Sequence, residues 1–197
     1  MIKSFALIFT VLFSGMTVAA QDLRVAVNYV TSDPTNHKPL IFYSPAGKLN
    51  WNDFRAQPDL EDDVAAVTNA GIGFRVAFHS EGDKANLNIS VLCNFNKSES
   101  WVKDDRKTPY ILNHEQIHFD IAYIQAMLFV QKLRAAKYTT ESFGKVIENV
   151  YDDAQVSLIA MQTAYDKETK NSQLPEVQAA WNKKIDDQLK IIKKLFN

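Results

Sequence analysis

The spacing of hydrophobic residues divides the chain into two halves. Between residues 22 and 96, apolar and polar positions alternate with the period of two that is typical of strands. The alternating segments are rich in valine, isoleucine and aromatic residues, and clusters of Asn, Pro, Gly and Asp separate them. The predicted strands cover residues 23–30, 40–44, 70–80 and 85–95. The first half is therefore predicted to form a small, mostly antiparallel sheet.

Residues 49–68 interrupt the alternation within this sheet region. The segment is rich in Asn and Asp and contains one proline, all of which favour turns, so a loop with a short helical turn is predicted there. Its two large aromatic residues, Trp51 and Phe54, are expected to pack on the sheet.

From Thr108 onwards the hydrophobic period becomes that of an α-helix. Thr108 suits an N-cap and Pro109 suits the first helical position, so a long helix is predicted from there to about Lys137. A second helix is predicted over residues 141–170, and its apolar stripe steps by three and four. That stripe consists of Ile147, Tyr151, Ala154, Leu158, Met161 and Tyr165. A proline then starts a third predicted helix, residues 175–196. The pattern predicts an α+β fold, with the first helix packed on the sheet.

The first twenty residues have the composition of a secretory signal peptide. They carry one basic residue, Lys3, then an apolar run over residues 5–13 and small residues before Gln21. The apolar run is shorter than the ~20 residues that span a bilayer. Residues 1–20 are therefore expected to be removed, which leaves residues 21–197 as a single secreted or periplasmic domain without membrane insertion.

Composition excludes some classes of partner. The chain has a net charge of −1, which gives no electrostatic basis for nucleic-acid binding. With one cysteine, Cys93, it cannot form an intrachain disulfide. We expect a monomer whose binding partners are determined by the chemistry of its functional site.

The motif that points to chemistry is HEQIH, residues 114–118, within the first predicted helix. His114 and His118 are four residues apart, so their side chains lie one above the other and can bind one metal ion. Glu115 follows the first histidine and stands where it can take a proton from zinc-bound water. The alternative is a pair of histidines satisfied by ordinary neighbours.

A catalytic zinc ion needs a third protein ligand as well as an open position. Glu168 continues the apolar stripe of the second helix beyond Tyr165, where a carboxylate is costly unless it is paired or binds a metal, so Glu168 is the favoured ligand. Asp166 is the next candidate, followed by His37 and His79. Glu168 could instead pair with a nearby lysine, and Tyr165 could either donate to an oxyanion or belong to the core.

Several segments together resemble a family of secreted bacterial proteins of unknown function that are predicted to be zinc-dependent proteases. They are LNWNDFRAQP, AAVTNAGIGF, SWVKDD, YILNHEQIHFDIA and AYDKETKNS with EVQAAWNKKI. The resemblance covers roughly residues 49–185, and HEQxHFD is its most specific element. It implies a zincin-like fold, with His114 and His118 as metal ligands and Glu115 as the catalytic base.

This sequence departs from the family pattern at one point. The family's later motif runs toward Tyr-Asp-x-Glu-Thr-x-His-Gly, whereas Asn171 and Ser172 stand at its last two positions here. If the family's third ligand is that histidine, this chain has lost it. Asp120 departs from the broader zincin pattern, which has an apolar residue at that position. It is expected either to hold a ligating histidine or to be a solvated acid.

The sequence thus predicts a secreted metallopeptidase with one Zn²⁺ per chain. It would cleave a peptide or protein substrate by zinc-activated water, with Glu115 as general base and His114, His118 and Glu168 as ligands. One alternative is a weakly active or inactive zinc-binding scaffold of the cell envelope. Another is a metal-free domain that binds partners through helix faces such as the one bearing Trp181.

Overall fold

The four predicted strands form one sheet in a computed structural model that describes residues 22–34 and 39–196. The predicted signal peptide and His37 lie outside the described residues. The strands in chain order are β1 (Asp22–Tyr29), β2 (Leu40–Phe42), β3 (Ala66–Val67), β4 (Ala70–Glu81), β5 (Lys84–Asn96) and β6 (Trp101–Val102).

Strand β5 is the centre of the main sheet. β4 pairs with it antiparallel along one edge, through a two-residue turn whose Gly82 has a φ of 61°, as a tight hairpin requires. β1 runs parallel to β5 along the other edge, and β2 follows antiparallel along that same edge. The sheet is therefore mixed, and the prediction of mostly antiparallel pairing holds for all strands except β1.

The loop between β2 and β4 contains the predicted helical turn. Residues Trp51–Asp53 form a 3₁₀ turn with Asn50 as its N-cap. The Asn50 side chain accepts a hydrogen bond from the backbone N–H of Asp53, and the Asp53 side chain accepts one from the backbone N–H of Asn50. The ring of Phe54 lies 5.1 Å from the ring of Phe95 on β5, so the loop packs on the sheet as predicted. The hydrophobic pattern does not predict β3 and β6, which pair as a separate two-stranded sheet.

The three predicted helices are all present. They are α1 (Pro109–Ala135), α2 (Phe143–Thr169) and α3 (Pro175–Phe196). α1 starts as predicted, because the Thr108 side chain accepts a hydrogen bond from the backbone N–H of Ile111. Within the described part of the chain, no helix combines the length and apolarity needed to cross a membrane.

Helix α1 lies between the sheet and the other two helices. It contacts β1, β4 and β5 on one side and α2 and α3 on the other. From His114 to Leu133 its buried residues point in almost every direction, as expected for a helix that is covered on both sides. This position places the HEQIH motif in the interior, facing α2.

Candidate metal centre

His114 and His118 lie together in the first half of α1, one helical turn apart, and both are buried. Their rings are 5.0 Å apart between centroids, and their Nε2 atoms are separated by 3.3 Å. The two imidazoles therefore converge on one point, as the spacing of the motif predicts.

Asp166 of α2 completes this convergence. Its Oδ1 atom lies 3.2 Å from Nε2 of His114 and 2.9 Å from Nε2 of His118. Together the three residues form a group that could hold a metal ion. Since two of them come from α1 and one from α2, the site exists only when these helices pack together.

The spacing of the three donor atoms fits a small tetrahedral ion. Zinc binds imidazole nitrogen and carboxylate oxygen at about 2.0–2.1 Å, so the edge of a regular tetrahedron of ligands is about 3.3 Å. The three edges in this protein are 3.3, 3.2 and 2.9 Å. The three donor atoms are thus spaced about as far apart as the ligands of one zinc ion would be.

Two glutamine side chains orient the histidines. Nδ1 of His114 lies 2.9 Å from Oε1 of Gln178, a buried residue of α3, and Nδ1 of His118 meets Oε1 of Gln162 on α2. An amide oxygen only accepts hydrogen bonds, so each Nδ1 carries the proton and each Nε2 presents its lone pair. Gln178 Nε2 donates to Asn182, which fixes the orientation of the amide.

This arrangement leaves three acceptors facing one another without a donor between them. With both histidines in this neutral tautomer, two lone pairs and a carboxylate oxygen meet within about 3 Å and repel one another. A bound cation removes the repulsion, and without one a proton must do so. The chemistry of the donor set therefore fits a divalent metal ion.

The ring of Tyr165 packs against the rings of both histidines. The ring of His114 stacks on it at 4.5 Å, and the ring of His118 meets it edge-on at 5.0 Å. Its hydroxyl accepts a hydrogen bond from Gln178 and donates to the backbone oxygen of His114. Tyr165 is fully buried, so it is a core residue rather than an oxyanion donor.

Glu115 lies beside this group of three side chains, and part of its carboxylate has no hydrogen-bond partner among the described residues. The residue is buried, and its Oε2 atom has no hydrogen-bond partner among the described residues. Burial raises the pKa of Glu115, whereas His118, His114 and the Thr68 hydroxyl act in the opposite direction. A buried carboxylate with a raised pKa and a free oxygen is suited to accept and release a proton.

The ionisation of the cluster follows from its contacts. Burial acts to raise the pKa of Asp166, but the hydrogen bonds and charges of the protonated forms of His114 and His118 outweigh it and hold the pKa well below the ordinary value. For His118, burial acts to lower the pKa, but Asp166 and Glu115 outweigh this and raise it. Without a metal ion, Asp166 is therefore ionised and His118 holds a proton more strongly than usual.

The favoured third ligand, Glu168, does not join this group, and the alternative Asp166 takes its place. The Glu168 carboxylate accepts a hydrogen bond of 2.8 Å from the Trp181 indole and points toward α3. Residues two apart on a helix face different directions, so Asp166 and Glu168 cannot serve the same site. The face of α2 that meets the histidines carries Gln162 and Asp166, one turn apart and one residue away from the apolar stripe.

The remaining candidate residues lie away from the donors. His79 is exposed on β4, 3.9 Å from Glu81, and His37 lies outside the described residues. Asn171 and Ser172 both line the cleft beside the histidines, in a left-handed turn after α2. Because Asp166 supplies a third donor, the set is complete without a histidine at position 171.

Asp120 has neither of its two predicted roles. It is buried, and its Oδ1 atom accepts hydrogen bonds from the Tyr43 hydroxyl and the Gln116 amide. Lys48 lies 3.5 Å from its other oxygen. Asp120 thus ties the segment after β2 to α1, and it is neither a solvated acid nor a partner of His118.

A cleft of about 160 Å³ opens onto His114, His118 and Asp166. Residues 64–68, which include β3, form one wall, and the end of α2 with the following turn forms the other. The Thr68 hydroxyl donates to the backbone oxygen of Glu115 and so joins β3 to the motif. Reactants can therefore approach the donors between a strand and a helix.

Comparisons with protein-family models, with curated proteins and with solved structures find no match to this chain. The function of the protein must be inferred from the chemistry of this site.

Proposed function

We propose that the protein is an exported, secreted or periplasmic zinc-dependent hydrolase that cleaves peptide bonds. One observation carries this proposal: donor atoms of His114, His118 and Asp166 lie within 3.3 Å of one another, while the buried Glu115 carboxylate lies beside them with an oxygen that has no hydrogen-bond partner among the described residues. The composition of residues 1–20 supports export, and the HEQIH motif supports hydrolysis.

The donor types favour zinc among the divalent ions. Two imidazoles and one carboxylate at tetrahedral spacing suit zinc, whereas magnesium and calcium prefer oxygen ligands in larger shells. Three protein ligands leave one position of a tetrahedron open, and an open position distinguishes a catalytic site from a structural one. The cleft gives access to this group from the β3 side.

Different residues of the chain have different roles in the proposed reaction. A zinc ion held there would lower the pKa of a coordinated water molecule and polarise the carbonyl group to be cleaved. Glu115 accepts the proton from the attacking water and passes it to the leaving amine, as its raised pKa allows. Gln178 and Gln162 keep both Nε2 lone pairs directed at the same point.

The wall formed by residues 64–68 favours a peptide as substrate. β3 pairs with β6 through one edge in a two-stranded sheet, so its other edge is unpaired among the described residues. An extended peptide can add to such an edge through backbone hydrogen bonds, which do not depend on the peptide sequence. Such pairing would position a peptide bond next to Glu115.

The proposal predicts that Glu115→Gln abolishes turnover but not metal binding. The amide keeps the size of the side chain but cannot accept the proton, so the rate should fall by about 10²–10⁴-fold. The assay measures cleavage of an unfolded protein substrate by zinc-loaded protein, alongside zinc content. Glu168→Gln is the matched control and should retain activity. Full activity of the Glu115→Gln variant, or no activity of the wild type, would contradict the proposal.

One observation favours an alternative function. The donors join α1 to α2, and α3 supplies Gln178, so a metal ion would also fasten three helices together. In that case the protein is a zinc-binding scaffold. If the protein is a scaffold, removal of the metal ion by a chelator should greatly lower its stability, and no peptide should be cleaved. If it is a hydrolase, peptide should be cleaved, and cleavage should cease when the chelator is added.

A further inference from the structure

A second cavity of about 550 Å³ lies at the other end of α1. β1, the segment after β2, α1 and the last turns of α3 surround it, and it shares no lining residue with the cleft at the histidines. Its α1 residue Met127 is about 13 Å along the helix from His118, at 1.5 Å per residue. The volume is within the range of about 300–1,000 Å³ that is typical of small-molecule sites.

The interior of this cavity is aromatic and aliphatic. Tyr43 stacks on Tyr123 with ring centroids 4.1 Å apart, and Tyr29 meets Tyr123 edge-on at 5.4 Å. Met127 and Ile192 are buried beside them. Flat hydrophobic groups pack favourably against such a surface.

The rim of the cavity is positively charged. Lys48, Arg134, Lys190 and Lys193 line it together with a single acid, Asp186. The chain as a whole has a net charge of −1, so this excess of cations is local. A cluster of one sign of charge at the mouth of an apolar cavity attracts ligands of the opposite sign.

Two of these cations have donors left for a ligand. Lys193 has no ion-pair partner among the described residues, unlike Lys190, which pairs with Asp186 at 2.5 Å. Among the described residues, Arg134 donates only to the backbone oxygen of Val27, from Nε and Nη2, so its Nη1 group has no hydrogen-bond acceptor there. A carboxylate is the simplest group that both can bind.

We infer that this cavity binds a small aromatic carboxylate, with its ring against the tyrosines and its carboxylate at Lys193 and Arg134. The site is independent of the metal centre, and the inference does not rest on the proposed hydrolase activity. The protein would then carry a second ligand site, on the far side of the helix that bears the HEQIH motif.

The test is a titration of the purified protein with 2-naphthoate and with its uncharged analogue 2-naphthamide. Binding is followed by nuclear magnetic resonance, which also locates the ligand. We expect saturable shifts of the Tyr123, Met127 and Ile192 amide signals, and at least tenfold weaker binding of the amide. Shifts centred on His114 and His118, or no saturable binding, would overturn the inference.

Two lysine variants test the position of the carboxylate. Lys193→Met keeps the aliphatic stem and removes the charge, and it should weaken naphthoate binding about tenfold while leaving naphthamide binding unchanged. Lys194→Met is the matched control, because Lys194 is the next residue of α3 and does not line the cavity. Equal losses in both variants would show a general effect of charge and overturn the assignment.

Discussion

At the scale of single residues, the amides of Gln178 and Gln162 determine what the two histidines can do. By accepting from Nδ1 they leave both Nε2 lone pairs for a metal ion. Gln178 is itself held by Tyr165 and by Asn182, whose oxygen also accepts from Asn113 of α1. The direction of the His114 lone pair is thus fixed by a chain of hydrogen bonds between α1 and α3.

This chain of hydrogen bonds predicts that Gln178→Ala weakens zinc binding without removing a ligand. Loss of the partner of a ligating histidine typically lowers metal affinity by about 10–100-fold. The measurement is the zinc dissociation constant by competition with a chromogenic chelator. Gln188→Ala, which changes the same residue type on the same helix, should leave the constant unchanged. Equal affinities for Gln178→Ala and the wild type would show that the amide has no such role.

The sequence predicts that the two histidines converge beside Glu115, but it does not predict which residue supplies the third donor atom. His114 and His118 share one helix, so their relative position follows from helical spacing alone. The ligand on α2 depends on how α2 is rotated against α1, and a shift of one residue turns the helix by about 100°. Asp166 could have been favoured because Gln162 precedes it by one turn, which makes a polar pair beside the apolar stripe.

At the scale of elements, buried polar contacts fix α1 against the segment after β2. Asp120 accepts from Tyr43 and Gln116, and Gln116 Oε1 accepts from the backbone N–H of Leu49. These contacts hold α1 at one end of the sheet, while aromatic contacts such as that of Phe74 with Phe129 hold it farther along. The motif helix is therefore positioned by polar groups that lie outside the candidate metal centre.

We expect Asp120→Ala to destabilise the fold while zinc content is retained. The substitution leaves the buried Tyr43 hydroxyl and Gln116 amide without an acceptor, at a cost of about 1–3 kcal/mol. The free energy of unfolding is measured by urea denaturation. Tyr43→Phe removes one of these hydrogen bonds and should lower the free energy of unfolding by less than Asp120→Ala does. Loss of zinc from a folded Asp120→Ala protein would instead place Asp120 at the metal site.

The sequence predicted the long elements and missed the short ones. α3 begins and ends where the pattern indicates, because a proline starts it and its apolar stripe is regular. β3 and β6 contain two residues each and exist only because the chain brings them together, so no periodicity marks them. The parallel pairing of β1 with β5 also depends on the route of the chain and not on local pattern.

At the scale of the whole molecule, the ionisation of the His118–Asp166 pair links the stability of the fold to pH. The raised pKa of His118 means that its protonated form stabilises the metal-free fold fully below about pH 6.5, and that this stability is lost as pH rises through the raised pKa. The lowered pKa of Asp166 means that its contribution is present above about pH 4 and is lost as pH falls through the lowered value. Between these limits, a proton held by His118 removes the repulsion between the three acceptors that a metal ion would otherwise remove.

Zinc should therefore stabilise the protein more at pH 8 than at pH 5.5. At pH 5.5 the ion must displace the proton held by His118, whereas at pH 8 His118 is closer to neutral and the three acceptors repel one another. The measurement is the zinc-induced rise in Tm at the two pH values. In the His118→Ala variant, zinc should raise Tm only slightly at either pH value. A rise that is equal at both pH values, or larger at pH 5.5, would contradict this linkage.

The central claim is that His114, His118 and Asp166 bind one metal ion. The most direct test is the zinc content of purified wild type, Asp166→Ala and Glu168→Ala after equilibration with limiting zinc. The account predicts about one zinc per chain in the wild type and in Glu168→Ala, and almost none in Asp166→Ala. Zinc retained by Asp166→Ala, or lost from Glu168→Ala, would contradict it.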